Sequence, residues 1–233
     1  NDIFEDAPIE IEQGPGLPVW KPRNYERDFL GPMTLRKGME KSRNTVTVCV
    51  SQFAGIPKVT ETIKRFGIND NPLAVPSIVL GAIETTLAKM TLAYGVIANG
   101  GRKLEPHYIE LIKDRKGNVI YKRDYTECPE CKAYKLDKEG KIMPPEIDNP
   151  KGAIITDEAT NYQMVSLMMG GIQRGTGRGA KHIKQIIAGK TGTTNKAKDT
   201  WFMGFTPKIV VGTYIGYDNP RSLGDKVSGA SIA

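Results

Sequence analysis

Histidine is nearly absent from this chain of 233 residues: only His107 and His182 occur, isolated in sequence. Cysteine is almost as scarce, and three cysteines cannot make a disulfide framework. Cys128-Pro129-Glu130-Cys131 is a lone Cys-x-x-Cys pair. A structural zinc site usually needs four ligands, commonly two such pairs or added histidines. No metal site is therefore expected, and the pair reads as a local disulfide or two surface thiols. Cys49, inside the apolar run Val46-Thr47-Val48-Cys49-Val50, is expected to be a small core residue. No apolar run approaches the roughly 18–20 residues of a membrane-spanning helix. No charged-then-apolar leader of signal type opens the chain. Nor is there a basic stripe interleaved with aromatics, which argues against nucleic acid as a partner. Internal repeats and low-complexity tracts are also missing.

What is present is ordinary for a globular protein: 39% hydrophobic and 25% charged residues. The length suffices for one large domain or two small ones. A formal net charge of +7 suits work beside an anionic membrane face or polymer, without choosing between them. The chain opens on Asn1 and ends on Ser231-Ile232-Ala233, and is expected to be a soluble fragment of something longer.

Along the chain, residues 1–31 are rich in Pro, Gly and acidic side chains and read as an extended approach, with Trp20, Tyr25 and Phe29 as anchors. A short helix is expected over Leu35–Lys41, ending at a Ser42 turn. A second should run from Asn44 or Thr45 to Ala54, ended by Gly55. A third carries Pro57 in its first turn and Gly67 at its end. Leu87, Met90, Ala93, Tyr94 and Ile97 repeat at helical spacing, so Leu87–Ala98 is the clearest helix, closed by Asn99-Gly100-Gly101. Tyr108–Ile112 and Val119–Tyr121 flank a Lys116-Gly117-Asn118 turn and read as a hairpin. Residues 123–150 are polar and proline-punctuated, and read as a surface insertion. Thr156 is expected to cap a helix whose body, Tyr162–Ile172, fills core with Met164, Met168 and Met169. Arg174–Gly179 reads as a flexible connector. Strands follow at Gln185–Thr191, Thr200–Phe205 and Ile209–Tyr217. Helices first and antiparallel strands last imply an α+β fold, with helices packed on one sheet.

The richest chemistry lies in Lys190-Thr191-Gly192-Thr193-Thr194-Asn195, directly after the apolar run Ile186-Ile187-Ala188-Gly189. A fixed positive charge and short hydroxyl donors along one strand can hold a carboxylate and align a carbonyl for attack. The same letters raise a rival, because Gly189-Lys190-Thr191 would end a phosphate loop. That pattern needs glycine at position 184, where this chain has Lys184, and it must open a helix. The bland alternative is a polar turn between strands. Lys-Thr-Gly is also one of three motifs of the serine acyltransferases that react with penicillin, beside Ser-x-x-Lys and a Ser-x-Asn type element. The Ser-x-Asn element is present as Ser42-Arg43-Asn44.

With these motifs stand Trp20-Lys21-Pro22-Arg23-Asn24-Tyr25, Gly31-Pro32-Met33-Thr34-Leu35, Ala93–Gly101, Gln173–Gly177, Trp201–Pro207 and Gly216–Pro220. Together they resemble the transpeptidase domain of class A, high-molecular-weight penicillin-binding proteins. The resemblance covers most of residues 1–233, lapsing only over about residues 110–150. It implies the penicillin-binding protein and serine β-lactamase fold. The implied reaction is acyl transfer from peptidoglycan stem peptides ending in D-Ala-D-Ala, through a serine acyl-enzyme, with β-lactams as competing ligands. No cofactor is implied. It further implies that Ser42 shuttles a proton, that Asn44 bonds the substrate amide and orients a catalytic lysine, and that Lys190 supplies positive potential. Thr191 and Thr193 would bind the terminal carboxylate, Thr193 N–H would give half of the oxyanion hole, and Gly192 would leave room for substrate. Arg174 and Arg178 receive no catalytic role.

One departure is large: no Ser-x-x-Lys occurs anywhere in the chain. In the family that motif lies upstream on another helix, and it would fall before Asn1, as would a membrane anchor. The site therefore lacks its nucleophile and general-base lysine. The alternatives kept open are a β-lactamase or carboxypeptidase of the same fold, and a non-catalytic binding module. For the last, Ser42 and Asn44 would simply cap the following helix.

Overall fold

The first thirty residues, rather than approaching the fold loosely, contribute a strand to it. Strand β1 (Ile3–Asp6) pairs antiparallel with β2 (Gly31–Thr34), Asp6 opposite Gly31. The computed structural model describes all residues except 1, 14, 15, 17, 124–151, 225, 226, 232 and 233. The expected aromatic anchors are not what fixes this segment. Tyr25 and Phe29 are exposed and Trp20 is half-buried, whereas Asp6 and Asn24 are buried. Polar pairing takes the place of aromatic burial.

Thr34 accepts the Lys37 N–H and caps α1 (Leu35–Glu40). Next come α2 (Asn44–Ala54) and α3 (Ile56–Arg65), divided by Gly55 at φ 91°, a conformation glycine adopts without strain. Helix α1 lies close against α2 because Gly38 has no side chain: a Cβ there would stand 2.5 Å from Val46 Cγ1. Val46 and Val48 are among the most buried side chains, while Cys49 is only half-buried, at the margin of the core. Helix α4 (Leu87–Ala98) has the expected bounds, with Thr86 as its cap.

Residues Leu104–Ala153 separate as a second compact unit. Its described part is a hairpin of β3 (Leu111–Lys113) and β4 (Val119–Lys122). Asp114 Oδ1 accepts the N–H groups of Lys116 and Asn118, both at 2.8 Å, and shapes the turn. Cys128, Cys131 and nearly all of the expected insertion lie outside the described residues.

The chain returns through α5 (Glu158–Gln173). Asp157, not Thr156, is its cap: Asp157 is extended and its carboxylate accepts the Thr160 N–H at 2.9 Å, whereas the Thr156 N–H is donated to Gly101. Strands β5 (Ala188–Thr193), β6 (Asp199–Phe205) and β7 (Val210–Gly216) then form an antiparallel sheet in that order. The first starts later than expected because Gln185 and Ile186 are exposed and pair with nothing in the ladder. Helix α5 packs on β5, and α4 on β6 and β7. Ile97, Met168, Ala188 and Phe205 meet at the centre, with Met164 and Met169 beside them, so the methionines do fill core. Burying side chains of this size contributes roughly 1.5–3 kcal/mol each. The architecture is α+β, as expected.

Candidate active site

Ser42 takes φ 54°, which few residues other than glycine adopt without strain. It stands in the turn between α1 and α2, where its N–H bonds Met39 O at 3.1 Å and the next residue, Arg43, bonds Gly38 O at 2.9 Å. Neither Ser42 nor Asn44 caps α2. The residue at the cap position is Arg43, which makes no side-chain capping bond, and Asn44 is already helical. Asn44 instead donates its side-chain amide to Arg23 O at 2.8 Å and its N–H to Asn24 Oδ1 at 2.9 Å.

Lys190 arrives from the opposite side, on β5. Its Nζ donates to Ser42 Oγ at 2.7 Å and to Thr191 O at 2.9 Å. Two motifs far apart in sequence thus meet through one hydrogen bond. Burial, with no compensating anion among the described residues, pulls the Lys190 pKa down from 10.5 to about 8. Because Ser42 Oγ accepts from the ammonium, its own proton remains available to donate to another group.

The rest of the strand is shared between the sheet and an open cavity of about 970 Å³, which Ser42, Asn44, Thr191 and Thr193 all line. Thr193 Oγ1 accepts the Gly229 N–H at 3.1 Å. A Cβ at Gly192 would lie 3.3 Å from Trp201 Cβ, so packing within the sheet already favours glycine there. Residues 188–193 run as one strand, paired with β6 through Thr193 opposite Thr200. A phosphate loop would need a helix there, and that reading falls.

Two features were not singled out from sequence. Thr176 lines the cavity and its hydroxyl meets that of Thr191 at 2.7 Å. Its loop is no free connector, since Arg174 grips Glu40 at 2.5 and 3.2 Å and Thr176 N–H bonds Glu40 O at 3.2 Å. Nothing in the Gln173–Gly177 sequence signals a hydroxyl facing Thr191. Lys196 and Ala197 also line the cavity, with φ 62° and 45°. Such strain persists only where surroundings enforce it; here Ala197 O accepts the Leu223 N–H at 2.8 Å. Arg23, Arg27, Lys41, Arg43 and Lys196 among its lining residues outnumber Glu26, so the cavity's lining is net positive.

The profile described as "Penicillin binding protein transpeptidase domain" matches residues 1–232. The chain belongs to the penicillin-binding protein transpeptidase family. Penicillin-binding protein 1A of Rickettsia bellii is 56% identical over 232 residues, covering 100% of this chain and 29% of that protein. The protein of the same name from Neisseria gonorrhoeae is 36% identical, covering 99% of this chain and 27% of its own length. The crystal structure of penicillin-binding protein 1A from Haemophilus influenzae superposes with a TM-score of 0.81 at 33% identity, covering 98% of this chain and 36% of that one. The chain thus spans under a third of the length of these curated penicillin-binding protein relatives.

Proposed function

We propose that this chain is part of a serine D,D-transpeptidase that cross-links peptidoglycan, and that β-lactams acylate the same site. Residues 1–233 form part of the transpeptidase domain. The observation that carries this reading is the 2.7 Å bond from Lys190 Nζ to Ser42 Oγ, a residue that lines a cavity of net positive lining. The donor is a stem peptide ending in D-Ala-D-Ala. Its terminal carboxylate suits the hydroxyls of Thr191 and Thr193 and the charge of Lys190.

The nucleophilic serine and its lysine come from a Ser-x-x-Lys segment outside these 233 residues. The serine oxygen bonds the penultimate carbonyl carbon, and its proton leaves for the base. The tetrahedral oxyanion is held partly by Thr193 N–H. Ser42 then passes its proton to the leaving nitrogen and takes a replacement from the protonated base, so the C–N bond breaks and D-Ala departs as the acyl-enzyme forms. The ammonium of Lys190 supports this relay electrostatically. An amine from a neighbouring stem next displaces the serine. Asn44 would bond the substrate amide and orient the upstream lysine. The site works on the extracytoplasmic side of the membrane, anchored through an upstream segment.

Two labelling reactions test the division of labour. The 233 residues alone should form no denaturation-resistant adduct with a fluorescent penicillin, while the full-length protein should label stoichiometrically. A stoichiometric adduct on the fragment would demand another nucleophile. With a D-Ala-D-Ala peptide and an amine acceptor, the full-length protein should yield cross-linked product. Hydrolysis alone at saturating amine would indicate a carboxypeptidase instead.

A further inference from the structure

We propose that Asp6 is a positioning residue for the reaction, acting through Arg43 to set the geometry of the Ser42–Asn44 turn. This rests on the reading of Ser42 as the proton shuttle. Arg43 is the central residue of the motif, yet its side chain is 2% exposed and turned away from solvent toward Asp6, which is 0% exposed. The ion pair joins residues 37 positions apart, at 2.8 Å from Nε to Oδ2.

Every acceptor direction of the Asp6 carboxylate is used. Oδ2 takes Arg43 and the Leu30 N–H at 2.9 Å, while Oδ1 takes Asn24 Nδ2 at 2.7 Å and the Thr45 hydroxyl. Burial pushes this carboxyl up, but the bonds from Thr45, Asn24 and Leu30 and the charge of Arg43 outweigh it, so it lies below its ordinary 3.8. The rest of the guanidinium is equally committed. Nη2 bonds Asp28 O at 2.5 Å and Asp28 Oδ1 at 2.7 Å, and Nη1 reaches Glu26 at 3.2 Å. Asn24 extends the network to the third motif residue by accepting the Asn44 N–H.

Stability alone is a poor reason for this arrangement. A buried ion pair often contributes no more than apolar side chains of equal volume would. What it does supply is a fixed direction for the backbone between two functional residues. Ser42 at φ 54° needs such enforcement, because a non-glycine residue there relaxes unless its neighbours over-determine it. A displacement of Ser42 Oγ would lengthen the contact with Lys190 and misdirect the proton.

The test measures penicillin acylation of the full-length protein, resolved into the encounter constant and the first-order acylation step, for Asp6→Asn, Ser42→Ala, Lys190→Ala and the Asp6→Asn/Ser42→Ala double variant. Asp6→Asn should slow the first-order step about 10–100-fold, with the encounter constant moving less than about 3-fold, well below its melting temperature. The double variant should be within about 3-fold of Ser42→Ala alone, because both changes remove one function. Wild-type acylation by folded Asp6→Asn, or fully multiplicative losses in the double variant, would overturn the proposal. If Asp6→Asn does not fold, Asp28→Asn, whose carboxylate is half exposed, takes its place with an expected loss of about 3–10-fold and the same non-additivity; no loss there overturns the proposal equally. Should Ser42→Ala and Lys190→Ala themselves acylate normally, the reading of the site fails and this proposal with it. Should they be slow while Asp6→Asn is normal, this proposal alone falls.

Discussion

The position of Lys190 costs the fold stability. Its charge is carried into a half-buried position where the one cause acting on its pKa is desolvation. The unfolded lysine titrates near 10.5 and the folded one near 8. Between those values the unfolded chain holds the extra proton, so stability rises with pH there, and the cost of the buried ammonium is complete below 8. Lys190→Met should therefore stabilise the fold by about 1–3 kcal/mol at pH 7. Thermal melts from pH 7 to 10 should show that advantage shrinking as pH climbs above 8. A variant less stable than wild type at pH 7 would mean that the hydrogen bonds to Ser42 and Thr191 outweigh desolvation. Sequence alone marked Lys190, Ser42 and Asn44, because two motifs occurred in family order. It did not mark Thr176 or Asp6, whose relevance comes from partners brought near by folding.

Helix ends written in local chemistry were legible, and those decided by tertiary partners were not. Gly55 and the apolar spacing of Leu87–Ala98 fixed their elements, because a φ of 91° and a buried stripe each have a short-range signature. Thr156 and Asp157 are both good caps, and the choice between them depended on Gly101, more than fifty residues away. The bonding of residues 1–31 was equally unreadable, since Asp6 finds its four donors on β2's approach, the α1–α2 turn, α2 and the intervening segment. Gly38→Ala should force α1 off Val46 and destabilise by about 1–3 kcal/mol, read in a denaturant melt; an unchanged midpoint would mean that the helices move apart freely. Asp6 has a folded pKa below its ordinary 3.8, so its contribution is present above that value and lost as pH falls through the folded pKa. Acid unfolding below about pH 4 should accordingly be shallower in Asp6→Asn than in wild type, and identical slopes would remove Asp6 from the titration.

The whole molecule brings together helices from its first hundred residues and a sheet from its last fifty, and the groove forms where the α1–α2 turn meets β5. The fold class followed from that order of elements, but the sheet's presentation of Lys190 to Ser42 needed the packing of α5 against both α1 and β5. The Rickettsia bellii penicillin-binding protein 1A is more than three times as long as this chain, so the proposed reaction is tested in the full-length protein. The most direct test is the second-order rate of acylation by a penicillin for that protein and its Lys190→Ala and Lys190→Arg variants. Loss of one well-placed electrostatic contact should slow Lys190→Ala by roughly 10²–10³-fold, with Lys190→Arg recovering part of the rate. A folded Lys190→Ala protein acylated as fast as wild type would contradict the account, leaving the lysine an ordinary residue of the sheet.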